Sequence, residues 1–326
     1  MARTAMKNNI PLFPLVSVVI PALNEESNIG RVVRSIFSQC PYGTELEVIV
    51  VDDGSGDKTV EEAKKAGATV LVYEGEDNDG NPAAARNRGT RLARGDPLIF
   101  LDADCVPVDG WLQALLAAHQ AGAVIVGGSL ELPPGLPWIA RCDYYCGWYL
   151  VHPRRPAGKV PHHPPPNLSV RRAAFLTTSG FSEQPPLNEE RAWQAELRKA
   201  GYEIYFEPRA VAYHYNHPGF LNLVRRHYRW AYTSIESKSQ TRTARLSWLY
   251  RYPRLLIMAC MPLALAHTAY ILGCWIRAGV FEPVLMSPAV LASRFAYIAG
   301  MVVGGIQWLR YRNVATLEQR PRPRGR

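Results

Sequence analysis

The chain has no CxxC pair, no GxxxxGK[ST] phosphate loop and no complete GxGxxG fingerprint: GSGDKT offers Gly54 and Gly56 but no third glycine where one is needed. These absences exclude the common nucleotide-binding loops and a zinc ribbon. The six cysteines (Cys40, Cys105, Cys142, Cys146, Cys260, Cys274) are scattered over 326 residues, as expected of free thiols in a reducing compartment. Cys142 and Cys146, with His152, His162 and His163 downstream, read as a helical turn of packed cysteines rather than a zinc site. No signal peptide is expected either, because prolines interrupt the apolar patch of MARTAMKNNIPLFPLVSVVIPALNEE before it runs into the first strand pattern. The formal charge of +9 does not point to nucleic acid, because many arginines fall after residue 220, beside apolar runs.

What is present is acid at strand ends. In LIFLDADCVP (98–107), a continuously apolar run closes on Asp102 and Asp104, the pattern of a buried parallel strand. VSVVIPALNEE (16–26) closes on Pro21 and Glu25, and LEVIVVDDGSGDKT (46–59) on Asp52 and Asp53. Helical spacing over Asn28–Gln39, a short helix over Thr59–Ala66 and a strand over Thr69–Tyr73 alternate with these runs, which predicts an α/β, doubly wound, mostly parallel sheet. Ligands in such folds bind beyond the carboxyl ends of the strands. Carboxylates there suit Mg²⁺ or Mn²⁺ shared with phosphates, and Arg86, Asn87 and Arg88 on the next helix suit the phosphates themselves.

The ordered series VVIPALNEE, VIVVDDGSGDKT, AAARNRGTRLARGD, LIFLDADC, NLSVRR, GF and NEERAWQAELRKAGYEIYFEP resembles the family 2 glycosyltransferases of GT-A fold, over roughly residues 15–235. The resemblance implies a nucleotide-sugar donor, UDP- or GDP-linked, with Pro21, Glu25 and Asp53 on the nucleobase and ribose. Asp102 stands nearer the ribose, Asp104 and Asp102 on a Mg or Mn ion, and Arg86 on the diphosphate. Counting back from Lys199-Ala200-Gly201-Tyr202, the family's Glu-Asp pair falls on Glu189-Glu190. Glu190 is then the base, a glutamate in place of the usual aspartate, with Glu189 as its neighbour. Arg226-His227-Tyr228-Arg229-Trp230 resembles the QxxRW element of processive members, with Arg226 replacing glutamine and Arg229 and Trp230 retained. His214 and His217 fall where the family often has a histidine near the metal, and His214 is taken as a third ligand.

Leu255–Ile276 is an apolar run without a formal charge, about 33 Å long as a helix, and Pro288–Leu309 is a second run broken only by Arg294, placed to snorkel. Both are expected to span a membrane, and the arginines flanking the pair place the catalytic domain and both termini on the cytoplasmic side of a multi-pass inner-membrane protein. The domains expected are an extension (1–14), a nucleotide-sugar half (15–122) and an acceptor half (123–218). A basic interfacial segment (219–253), two transmembrane helices (254–310, about 255–276 and 288–309) and a basic tail (311–326) follow. Within the acceptor half, a strand over Ala123–Val126 and a helix near Ile139–Tyr149 precede a long loop. The function expected is inverting, metal-dependent transfer to a lipid acceptor, a polyprenyl phosphate or glycolipid. Alternatives are extension of a cell-surface glycan and a non-catalytic membrane partner that retains the fold.

Overall fold

The protein is described by a computed structural model covering residues 13–73, 80–183, 189–215, 219–241 and 252–311. The first half alternates strand and helix: β1 (Leu15–Ala22), α1 (Ile29–Phe37), β2 (Glu45–Asp52), α2 (Thr59–Lys65), β3 (Thr69–Val72), α3 (Pro82–Leu92) and β4 (Leu98–Leu101). Next come β5 (Cys105–Pro107), α4 (Trp111–Gln120), β6 (Ile125–Glu131), α5 (Trp138–Gly147), β7 (Gly158–Val160), β8 (Asn167–Val170), α6 (Arg172–Phe175), α7 (Glu189–Lys199) and β9 (Ile204–His214). The remainder is helical: α8 (Phe220–Thr241), α9 (Pro253–Met258), α10 (Cys260–Arg277), α11 (Glu282–Leu285) and α12 (Ser287–Tyr311).

One sheet of nine strands organises the catalytic part, in the order β3-β2-β1-β4-β8-β6-β9-β5, with β7 paired to β9. The expected α/β architecture is there, but the sheet is mixed rather than mostly parallel. β3, β2, β1 and β4 run parallel, whereas β8 lies antiparallel to both β4 and β6, and β5 and β7 lie antiparallel to β9. All four residues of β4 and of β8 are buried. Burial on both faces explains why β4 reads as an unbroken apolar run whose first polar group, Asp102, appears where the strand leaves the sheet, whereas β8 buries Asn167 and Ser169 within the sheet. α3 starts with Asn81 as N-cap, its side chain accepting from the Ala83 and Ala84 amides, and Pro82 follows in the first turn. This fixed start aims Arg86 and Arg88 back toward the strand ends.

α7 is held against the sheet by an aromatic cluster. Trp193 is fully buried, its ring 4.6 Å from that of Phe181, which in turn lies 4.8 Å from Phe100 on β4. The indole N–H donates to Thr178 at 3.0 Å.

The C-terminal helices differ from the expected pair of spans. The run 255–276 is not one helix. It breaks at Ala259 (φ −91, ψ 4), because Pro262 has no N–H for the Met258 carbonyl and its ring crowds that oxygen. Among the described residues a single helix, Ser287–Arg310, is long and apolar enough to cross a membrane, with mean hydropathy 1.6. Nor does Arg294 snorkel. It is 3% exposed and donates to His227 Nδ1 at 2.8 Å. α12 packs along α8, where Gly300 and Gly304 sit so close to the Tyr228 and Tyr232 carbonyls that a side chain there would overlap them. α10 packs back through Trp275, whose indole donates to the Tyr145 carbonyl at 2.9 Å.

Trp193→Ala is expected to lower stability by about 3–5 kcal/mol, the usual cost of deleting a large buried aromatic. Urea unfolding read by fluorescence checks this: the midpoint should fall with little change in slope.

Candidate active site

A cleft of about 250 Å³ opens beyond the carboxyl ends of β1, β2 and β4, lined by Pro21, Glu25, Asp53, Pro82, Arg86, Asp102 and Asp104 among others. Its walls are set by local chemistry. The Asp52 carboxylate accepts the Gly54 amide at 3.1 Å and the Ser55 amide at 2.9 Å, so it is committed to the turn after β2. Asp53, whose amide donates to the Ala22 carbonyl at 3.0 Å, lines the cleft instead and pairs with Arg88 at 3.3 Å. Asn24, at φ 56, ties the end of β1 to the same turn by accepting from the Gly56 amide at 2.9 Å. Asparagine tolerates this left-handed backbone better than most residues. Glu25 accepts from the Asn28 side chain at 2.8 Å. Six of the residues singled out by sequence, Pro21, Glu25, Asp53, Arg86, Asp102 and Asp104, are thus brought to one cleft.

Charge is crowded there. Burial pushes the Asp102 carboxyl up; Arg86, buried itself and 2.7 Å away, pulls it back, and the neighbouring Asp104 adds to the rise. Antiparallel pairing of β5 with β9 sets His214 directly across from Cys105, with its Nε2 3.7 Å from Asp104 Oδ2. The donor atoms of Asp104, Cys105 and His214 all lie within 4.8 Å of one another. His214 is buried, and its Nδ1 has no hydrogen-bond partner. An oxygen donor, an imidazole and a surplus of negative charge with an orphaned ring nitrogen fit a divalent cation. Burial, then the two carboxylates, keeps the Cys105 thiol protonated, a weaker ligand than the other two. His217 lies outside the described residues.

Behind His214 the rings continue. Trp148 lies 4.8 Å from His214 and 5.9 Å from Trp230, and Trp230 carries the Arg226 guanidinium 5.3 Å above its ring. Arg226 pairs with Asp143 on α5. Trp230 therefore lies behind Trp148 and His214, whereas Arg229 is exposed, and no contact among the described residues joins it to the cleft.

Glu190, in the first turn of α7, is 5% exposed, with Oε1 2.7 Å from His162 Nε2, and does not line the cleft itself. The Glu189 side chain lies outside the described residues. The loop carrying His162 is gripped from two sides. Gln194 of α7 accepts the His163 amide at 3.1 Å and donates to the His163 carbonyl at 2.6 Å. At the other end the Pro166 carbonyl accepts the Asp102 amide at 3.3 Å. His163 Nε2 meets the Gly128 carbonyl at 2.8 Å. Its ring lies so close to Gly127 that a side chain at that position would overlap it. Burial drives the His163 pKa down to about 4, and its other ring nitrogen, Nδ1, faces the Pro164 carbonyl at 2.8 Å. None of the histidines set against Cys142 and Cys146 forms a metal cluster with them among the described residues. Sequence reasoning missed the contacts of His162 with Glu190 and of Gln194 with the His163 backbone, and the placing of Cys105 and Trp148 beside His214. The His162–Glu190 contact spans 28 residues and leaves no periodic trace.

A mixed sheet with acid at the parallel strand ends, facing a helix that supplies arginines, has the architecture of a GT-A-type fold. Residues 17–176 match glycosyl transferase family 2. Glycosyltransferase AglE of Haloferax volcanii is 30% identical over 227 residues, 66% of this chain and 71% of that protein. The pre-mycofactocin glycosyltransferase of Mycobacterium tuberculosis is 32% identical over 208 residues, 61% of this chain but 42% of its own length. The chain belongs to glycosyl transferase family 2, and it is a glycosyltransferase. Among solved structures, the mannosyltransferase PcManGT of Pyrobaculum calidifontis with GDP-Man and Mn²⁺ superposes with TM-score 0.54 at 17% identity, over 92% of this chain and 88% of that one. S. aureus TarS 1–349 with UDP-GlcNAc gives 0.50 at 17%, over 90% and 91%. At such identities the likeness is one of fold.

Gly127→Ala, by driving a methyl into the His163 ring, is expected to cost about 1–3 kcal/mol as other overpacked sites do. Gly273→Ala, with open space around it, serves as the control. Thermal unfolding of the two variants beside the parent reads the difference.

Proposed function

We propose that the chain moves a sugar from a UDP- or GDP-sugar to a membrane lipid, a polyprenyl phosphate or glycolipid, by one inverting displacement assisted by a divalent metal. The observation that carries the reading is the convergence of Asp53, Asp102, Asp104, Arg86 and Arg88 around the cleft beyond β2 and β4. Pro21, Glu25 and Asp53 take the nucleoside, with Asp102 toward the ribose. Asp104, Asp102 and His214 hold Mg²⁺ or Mn²⁺, which when bound neutralises charge on the diphosphate leaving group. Arg86 adds a fixed positive charge beside it. Glu190 accepts the proton of an acceptor hydroxyl as the acceptor oxygen bonds to the anomeric carbon; a phosphate acceptor, already ionised at neutral pH, attacks without giving up a proton. The bond from that carbon to the diphosphate breaks at the same time, and its electron pair leaves with the nucleotide. The nucleotide sugars named in the PcManGT and TarS structures support a donor of this class.

The membrane side of the proposal rests on an exposed apolar face. α10 turns Ala264, Thr268, Ile271 and Trp275 inward, while Met261, Leu265 and Ile276 are exposed. Leu255, Ile257 and Met258 on the α9 side and Phe281, Val284 and Leu285 around α11 extend the exposed face. No charged residue interrupts 255–276, and Arg254 and Arg277 flank it, where they meet anionic headgroups. α12 is covered by α8 along much of its length. We therefore infer that α9–α11 lie in one leaflet and that the acceptor reaches Glu190 from there.

Two experiments test this. Detergent-purified protein with Mn²⁺ should release sugar slowly from one member of a panel of UDP- and GDP-sugars, and Asp104→Asn should lose that release by at least about 100-fold. Equal release by the variant removes the metal site, and no release from any donor favours a non-catalytic partner. In flotation with phosphatidylcholine vesicles containing an anionic lipid, Leu265→Glu with Leu285→Glu should leave the vesicle fraction while donor release persists. Unchanged flotation overturns the seat.

A further inference from the structure

The glutamate at position 190 is one methylene longer than the aspartate the family pattern leads one to expect, and it carries one more rotatable bond. A base with that extra freedom spends more time away from the productive orientation, so something must hold it. The structure supplies a holder. Building on the reading of Glu190 as the base, we infer that His162 is its positioning residue: its imidazole N–H fixes one carboxylate oxygen and leaves the other to face the acceptor.

The geometry supports this at each step. Glu190 Oε1 and His162 Nε2 are 2.7 Å apart, with side chains only 7% and 23% exposed. A buried carboxylate stripped of a hydrogen-bond donor is strongly disfavoured, so the contact is not incidental. An ionised carboxylate can only accept, hence Nε2 carries the proton and the ring is the donor. The ring is itself held. Pro161, one residue before, accepts from Arg198 of α7, and His163, one residue after, is clamped on both backbone atoms by Gln194. Through Pro166 the same loop is bonded to the Asp102 amide. The loop thus carries the position of the base to the strand end that bears the metal-site acids.

The charges around the pair agree with these roles. Burial raises the Glu190 carboxyl, but the His162 bond and then Arg191, 4.0 Å away, outweigh it and hold the group below the usual carboxylate range. Burial lowers His162, opposed by Glu190 and reinforced by Arg191 and Arg198. At neutral pH the pair is therefore a carboxylate and a neutral ring. Because the Glu190 pKa is depressed in the folded protein, the working base is present above that value and is lost as pH falls through it. Removing the donor moves the loss to higher pH.

The test compares the parent, His162→Leu, His162→Gln and Glu190→Gln. The carboxyl band of Glu190, assigned by subtracting the Glu190→Gln spectrum, is followed by infrared difference spectroscopy across a pH titration, which needs no substrate. His162→Leu should shift the titration upward, and His162→Gln, whose amide N–H can take the place of Nε2–H, should return it toward the parent. With UDP-GlcNAc and GDP-mannose as donors, Mn²⁺ present and octyl glucoside, whose attacking group is a hydroxyl, as the acceptor probe, His162→Leu should lower kcat roughly ten- to a hundredfold, the scale for loss of an orienting partner. Its donor KM should not change, and the acid limb of its pH profile should move the same way as the infrared titration. A folded His162→Leu protein with an unshifted Glu190 titration overturns the inference. Glu190→Gln that still transfers sugar overturns the base itself, a separate failure.

Discussion

Crowding of negative charge at the end of β4 is the constraint on which the rest of the site depends. Two carboxylates separated by Ala103 leave a strand buried on both faces, and a buried cation, Arg86, lies 2.7 Å from Asp102. Arg86 offsets one charge of the pair. The remaining charge, the orphaned His214 nitrogen and the nearby Asp53–Arg88 pair make an environment suited to a cation and a polyphosphate together. Neutral packing would suit this strand end better if stability alone mattered, since crowded, partly buried carboxylates are costly.

The site is also a matter of how distant segments are stitched. β1 is tied to the β2 turn through Asn24 and Asp53, β5 to β9 through the Cys105–His214 register, and α7 to β4 through the loop 161–166. In each case a backbone group serves as one partner, so the side chains of the cleft are aimed by the sheet rather than by their own rotamers. Gly127 and Gly128 matter for the same reason. They leave room for the His163 ring and the Asn167 amide, which hold the loop.

Much of this was legible in the sequence because its physics is local. Apolar runs ending in acid mark buried strands leaving a parallel sheet, and LIFLDAD, VIVVDD and VVIPALNE sit where those patterns predict. The predicted helix over 139–149 and strand over 123–126 correspond to α5 and β6, with ends shifted by a few residues. The mixed character of the sheet was not legible, since the direction of β8 depends on a long excursion between β6 and β8. His162 was hidden for a similar reason: a single hydrogen bond across a loop carries no spacing. Of the two C-terminal runs, 288–309 forms a helix long and apolar enough to cross a membrane, whereas 255–276 is broken at Ala259. Composition shows neither that break nor the burial of Arg294 against His227.

The most direct test of the account is Mn²⁺ binding followed by electron paramagnetic resonance, with UDP or GDP added, on the parent and on Asp104→Asn. If the acids at the β4 end share a cation with a nucleotide diphosphate, one diphosphate will tighten Mn²⁺ binding markedly in the parent, and the variant will lose that gain. Mn²⁺ binding that ignores both nucleotides, or that is the same in the two proteins, would contradict it.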